Sequence, residues 1–222
     1  MSKPNVLLVE GSDDLYAIAE LMGHYTDWPS DKKLAPVEIV DSKGVEQLLK
    51  PATISTHLKA PLLKNIGVIV DADDVLGARW ETLKTLFRSE FPTIPDVLPA
   101  TGLICANAEG KRLGIWIMPD NSSRGMLETF LSTLIEPDVT KNDLWQHAID
   151  STRVAKEKGC LYKDAHSDKA SIHCWLAWQD PPGNAFGTAI LQKVLNPLSE
   201  SAHPFANWFM ELYQLPTLPK AA

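Results

Sequence analysis

Two acidic clusters each follow a short apolar run. Val6-Leu7-Leu8-Val9 leads into Glu10-Gly11-Ser12-Asp13-Asp14, and Ile66-Gly67-Val68-Ile69-Val70 leads into Asp71-Ala72-Asp73-Asp74. Runs of this kind read as strands buried on both faces, and in open parallel sheets the ligand crevice lies beyond the strands' carboxyl ends. Carboxylates gathered at such an edge repel one another and stay ionised near neutral pH only if a cation or hydrogen bonds compensate them. Hard oxygen donors select Mg²⁺ or Mn²⁺, so metal-assisted chemistry is the expectation. Ordinary turn and capping chemistry is the plainer account of the same acids.

The elements that must position these acids follow from the periodicity. From Val6 to about Phe91, β-branched runs alternate with amphipathic stretches, as in βαβ units. A helix is predicted from about Asp13, capped by that carboxylate, with Leu15, Ile18, Ala19 and Met22 inward. Val37 to Val40 is a second strand, Val45 to Leu49 opens a second helix, and Gly67 to Val70 is a third strand. Right-handed crossovers then bring both acidic loops to one sheet edge. A helix through Trp80, Leu83 and Phe87 ends at Pro92 and Pro95, and residues 102–106 and 113–118 form a hairpin. After the Pro119 to Ser123 loop, a helix opens near Gly125 with Glu128 in its first turn, facing the same edge.

From about Asp138 the periodicity is helical: Asn142 to Lys158, Asp168 to Trp178, Ala185 to Leu195 and His203 to Tyr213, broken at Asp180-Pro181-Pro182-Gly183. The expected class is α/β, a mostly parallel sheet flanked by helices over residues 1–137, with an all-α extension over 138–222 packed on it.

With 222 residues, 45% of them apolar, the chain buries a sizeable core. A formal charge of −7 argues against a broadly basic surface that coats nucleic acid, although metal ions can supply the charge that faces phosphate. Cys105, Cys160 and Cys174 are odd in number and form no Cys-x-x-Cys pair, which fits a reduced compartment without structural zinc. No leader follows Met1 and no apolar run reaches membrane-span length, so a cytoplasmic protein with no membrane partner is expected.

The residues Leu7 to Asp14 together with Ile69 to Asp74 resemble the Toprim domain of topoisomerases, bacterial primases and overcoming-lysogenization-defect nucleases, and in particular a bacterial Toprim-like family of uncharacterised function. That family carries a Glu-Gly after its first strand and an Asp-x-Asp after its third. The resemblance covers roughly residues 4 to 135 and implies about four parallel strands with Mg²⁺ serving phosphodiester chemistry on DNA or RNA. On it, Glu10 is metal ligand or general base, Asp71 and Asp73 are metal ligands, and Glu128 matches a later ligand of the nucleases. Lys169 stands for the lysine such nucleases present to the scissile phosphate. The chain departs from topoisomerases in lacking a tyrosine placed as a nucleophile, and from primases in lacking a zinc module.

Lesser candidates are Asp120 as an aid to a second metal ion, Arg124 on phosphate, and His166 with His173 as proton carriers. Trp175, Trp178, Phe205, Trp208, Phe209 and Tyr213 recur at helical spacing and are assigned to the core. A haloacid-dehalogenase-type phosphatase is disfavoured because the Asp pair follows the third strand, and a receiver domain because no late Lys-Pro is present. The alternative of another class is a non-catalytic module that binds an ATPase partner or a nucleotide. Oligomeric state stays open.

Overall fold

Residues 3–31 and 33–218 are described by the computed structural model, residues 139–142 by backbone alone. Met1 and the side chain of Asn142, where the sequence sets a polar lead-in and a helix start, lie outside the described residues.

Alternation along the first run decides the architecture. Leu7 and Val9 join one core cluster, Val6 and Leu8 the other, so this strand is covered on both faces. Such burial requires helices on either side of the sheet. The elements are β1 (Asn5–Val9), α1 (Ser12–Met22), β2 (Glu38–Asp41), α2 (Val45–Leu48), α3 (Pro51–Leu58), β3 (Asn65–Asp71) and α4 (Leu76–Phe87). There follow β4 (Leu103–Ala106), β5 (Arg112–Met118), α5 (Leu127–Ser132), α6 (Val139–Glu157), α7 (Ser167–Leu176), α8 (Phe186–Leu191) and α9 (His203–Tyr213). Strand order is β2-β1-β3-β5-β4, parallel except for β4, which pairs antiparallel with β5 as the predicted hairpin. The expected α/β class with a mostly parallel sheet is the observed one.

Two local expectations are corrected. The helix begun at Val45 stops at Leu48, and Pro51 opens α3, where its missing N–H leaves no bond unmade. Asp13 does not cap α1; Gly11 is the N-cap, and Asp14 reaches back to accept the Gly11 N–H at 2.9 Å.

Helices α1 and α5 together with the C-terminal helices form the layer on the face of Leu7, Ile69 and Trp116. Tyr213 Oη donates to the Val6 carbonyl at 2.9 Å, and Trp208 Nε1 donates to the Leu103 carbonyl at 3.0 Å, which ties α9 to the sheet. Five of the six predicted core aromatics are buried; Trp178 is instead 41% exposed and stacks on His147. Close approach of α9 depends on Gly67, where a Cβ would run into the Tyr213 hydroxyl and lie 2.8 Å from Leu7 Cδ1. Gly67→Ala is therefore expected to destabilise the fold by about 2–3 kcal/mol, read as a lower urea midpoint at unchanged slope. An unchanged midpoint would mean α9 is not held this tightly. Among the described residues no helix is long and apolar enough to cross a membrane.

Candidate active site

The chain runs from β1 to one neighbour, β2, and then crosses to the other, β3, which makes the crevice past their carboxyl ends the sheet's topological switch point. Glu10 is the first residue after β1 and Asp71 the last of β3, so the two acids flank that crevice. A cleft of about 660 Å³ opens there. Glu10, Asp71, Asp73, Glu128 and Lys169, all five residues predicted for the site, line it together with Asp14.

Backbone N–H groups fix the central pair. Glu10 Oε1 accepts the Asp71 N–H at 2.9 Å, and Asp71 Oδ1 accepts the Leu127 N–H, the first of α5, at 2.9 Å. A two-residue bridge between Asp73 and Gly125 joins the loop after β3 to the loop before α5, bringing Glu128 to the same edge. Asp73 holds its place with φ at 51°, in the left-handed region that Asp tolerates better than most residues. Arg79 clamps this loop, with Nε on the Asp71 carbonyl at 3.0 Å and a guanidinium N–H on Asp73 Oδ2 at 2.6 Å.

Glu128 is almost wholly buried, its side chain 4% exposed, and Lys169 Nζ donates to its Oε1 at 2.6 Å across from α7. The neighbouring residues repeat the contact, Thr129 Oγ1 donating to Asp168 Oδ2 at 2.6 Å. The C-terminal helical region thus closes a site founded on the sheet.

The electrostatics divide the cleft in two. Burial, then the charges of Glu10, Asp14 and Glu128, hold the Asp71 carboxyl well above its ordinary value, against the Leu127 N–H. Glu10 is also raised, by burial first, with Asp73 and Glu128 adding and the Asp71 N–H and Arg79 opposing. Burial carries Asp14 up to about 7. On the other side, burial alone would lower Lys169, but its bond to Glu128 and the charges of Glu128, Asp13 and Asp71 outweigh it and raise the ammonium. Glu128 and Asp73 each have a cation bonded to them, whereas Glu10, Asp14 and Asp71 accept only backbone N–H groups among the described residues.

The donor set fits a divalent cation, with a restriction. Glu10 Oε2 and Asp71 Oδ2 have no hydrogen-bond partner among the described residues, whereas no three His, Cys, Asp or Glu side chains there converge as a metal-binding group. Asp73, expected as a third ligand, is ion-paired to Arg79 instead. Mg²⁺ commonly keeps several waters and is held by one or two carboxylates, so Glu10 and Asp71 are the residues that could hold one.

Of the four lesser candidates, Asp120, Arg124 and His173 lie outside the cleft lining. Asp120 turns its oxygens to the N–H and hydroxyl groups of Ser122 and Ser123, which lower its pKa despite partial burial, and it does not line the cleft. Arg124 is exposed and does not line the cleft, and His173 packs its ring 5.0 Å from that of Phe186. His166 does line the cleft. Arg79 is a part of the site that the sequence did not single out, and Asp14 stood there only as a member of the first acidic cluster. A basic residue one turn into a helix opposes the helix dipole and so signals a nearby acid, and Gly-x-x-Asp at 11–14 has the spacing of a reciprocal cap.

Fold and site define an α/β protein with an acidic crevice at the switch point of a parallel sheet, closed by a lysine from its C-terminal helices. The chain belongs to the protein family of unknown function DUF3226, matched over residues 4–214. No curated protein and no solved structure matches it.

Proposed function

We propose that the protein is a Toprim-type, Mg²⁺- or Mn²⁺-dependent phosphodiester hydrolase that acts on nucleic acid, DNA or RNA. The observation that carries this reading is the pair of free carboxylate oxygens, on Glu10 and Asp71, at the switch point with a lysine ammonium in the same cleft. A divalent cation bound there would neutralise phosphoryl oxygens and acidify a water. Glu10 and Asp71 hold their free oxygens toward the cleft because backbone N–H groups fix the other two. Lys169 offsets charge as it builds on the phosphate, and Arg79 keeps the Asp71 loop from moving. Glu128 orients Lys169.

Cleavage of plasmid, single-stranded DNA and RNA is measured with Mg²⁺, Mn²⁺ and EDTA for wild type and Glu10→Gln. Metal-dependent cleavage by wild type, lost in Glu10→Gln at unchanged thermal stability or above, supports the reading. Equal cleavage by both sinks it. A wild type that cleaves nothing moves the assignment to a partner-dependent module that binds an ATPase or a nucleotide.

A further inference from the structure

We propose that the site takes a single divalent cation, on Glu10 and Asp71, and that the Lys169 ammonium permanently occupies the place beside Glu128 where a second cation would sit. This rests on the metal-dependent reading of the cleft and deepens it.

Glu128 is the deepest acid at this edge, and an ionised carboxylate so buried needs a cation. Lys169 supplies it at 2.6 Å. The lysine side chain is 44% exposed, and its backbone is anchored through its neighbour: Asp168 accepts from Thr129, the residue after Glu128, and Thr129 Oγ1 in turn accepts the Met126 N–H at 3.1 Å. Two successive residues of α5 are thus clasped to two successive residues of α7, and the buried Leu131 and Ile172 lie in the same apolar cluster beneath them. Expelling the ammonium would break a charge-assisted bond and leave a positive group to be placed elsewhere.

Two-metal sites set their ions about 4 Å apart and clamp both with shared carboxylates. Here the second clamp is filled by a protein cation, and a third acid, Asp73, is filled by Arg79. What stays open is the Glu10–Asp71 pair, whose second oxygens have no partner among the described residues. One hydrated cation, keeping several of its waters, is what two such oxygens can hold.

Mn²⁺ binding is measured by titration calorimetry and by the loss of the free-ion spin-resonance signal for wild type, Lys169→Met and, as a control, Lys43→Met, which removes an exposed lysine that lines the same cleft and is ion-paired to Asp41. Folding is checked by circular dichroism. The expected result is one Mn²⁺ per chain in wild type and in Lys43→Met, and two in Lys169→Met. Two ions in wild type overturn the single-cation inference while leaving the metal-dependent reading standing, and this outcome needs no variant to fold. One ion in a folded Lys169→Met, or a second ion in Lys43→Met, overturns the role given to Lys169. No ion in wild type overturns both the inference and the reading beneath it.

Discussion

On the proposed hydrolase reading, replacing Asp71 by asparagine is expected to lower metal-dependent cleavage by on the order of 10³-fold, about 4 kcal/mol of transition-state stabilisation. The reason lies in how its two oxygens divide their work. Oδ1 accepts the Leu127 N–H at the start of α5, and Oδ2 faces the cleft without a partner among the described residues. Asparagine has one oxygen for both duties. If that oxygen keeps the α5 contact, the amide NH₂ points at the cleft and repels a cation; if it turns to the cation, the NH₂ meets the Leu127 N–H donor to donor. The structural bond is the nearer one and should win, so the fold survives and the chemistry does not.

Stability separates this account from simple damage. The Asp71 carboxyl is raised by burial and by the charges of Glu10, Asp14 and Glu128, so a neutral asparagine removes repulsion and the metal-free variant should melt no lower than wild type. Plasmid cleavage rates with Mn²⁺ and urea midpoints without metal, taken on the same preparations, check both halves. Cleavage within tenfold of wild type would remove Asp71 from the metal site. A lost activity accompanied by a fallen midpoint would assign the residue to folding.

Much of this arrangement was legible before any coordinates. The strands at Asn5–Val9 and Asn65–Asp71 announce themselves because burial on both faces demands an unbroken apolar run, and the acids sit at the first positions where such a run can stop. The α9 bounds coincide with the predicted His203 to Tyr213, since its aromatic stripe has to meet the sheet. The contacts between elements were not legible. Sequence spacing cannot tell that Arg79 would claim Asp73, since that depends on the loop bending through the left-handed conformation at Asp73 and bridging to Gly125. Lys169 lies 41 residues from Glu128, and only the packing of α7 on α5 decides that they meet. Asp13 and Asp14 differ by one position on a helix, and the 100° between them decides which one turns back to the Gly11 N–H.

Asp14 is where the cost of gathering acids is most directly measurable. Burial first, then the charges of Glu10 and Glu128, raise its carboxyl from 3.8 to about 7, against the N–H bond from Gly11. Between those two values the folded protein retains a proton that the unfolded chain has released, so stability falls as pH rises through this window. The penalty is absent below 3.8, where both states are protonated, and complete above about 7, where both are ionised. A shift of this size corresponds to a ceiling of about 4 kcal/mol. Asp14→Asn keeps an oxygen for the Gly11 N–H and removes the charge. It is expected to raise stability at pH 8 by on the order of 2 kcal/mol, a melting temperature about 4–8 °C higher, and to change it little at pH 4. His24 and His57, both lowered by burial, act in the opposite direction, costing stability as pH falls through 6.5, but they are common to both proteins and cancel in the difference. Melting curves of wild type and variant from pH 4 to 8 therefore isolate the carboxylate. A pH-independent gain would assign the effect to packing, and no gain at pH 8 would mean that Asp14 is not carrying a buried charge. On the proposed metal-binding reading, millimolar Mg²⁺ narrows the gap at pH 8, because a cation held by Glu10 and Asp71 would offset the charge that Asp14 otherwise faces.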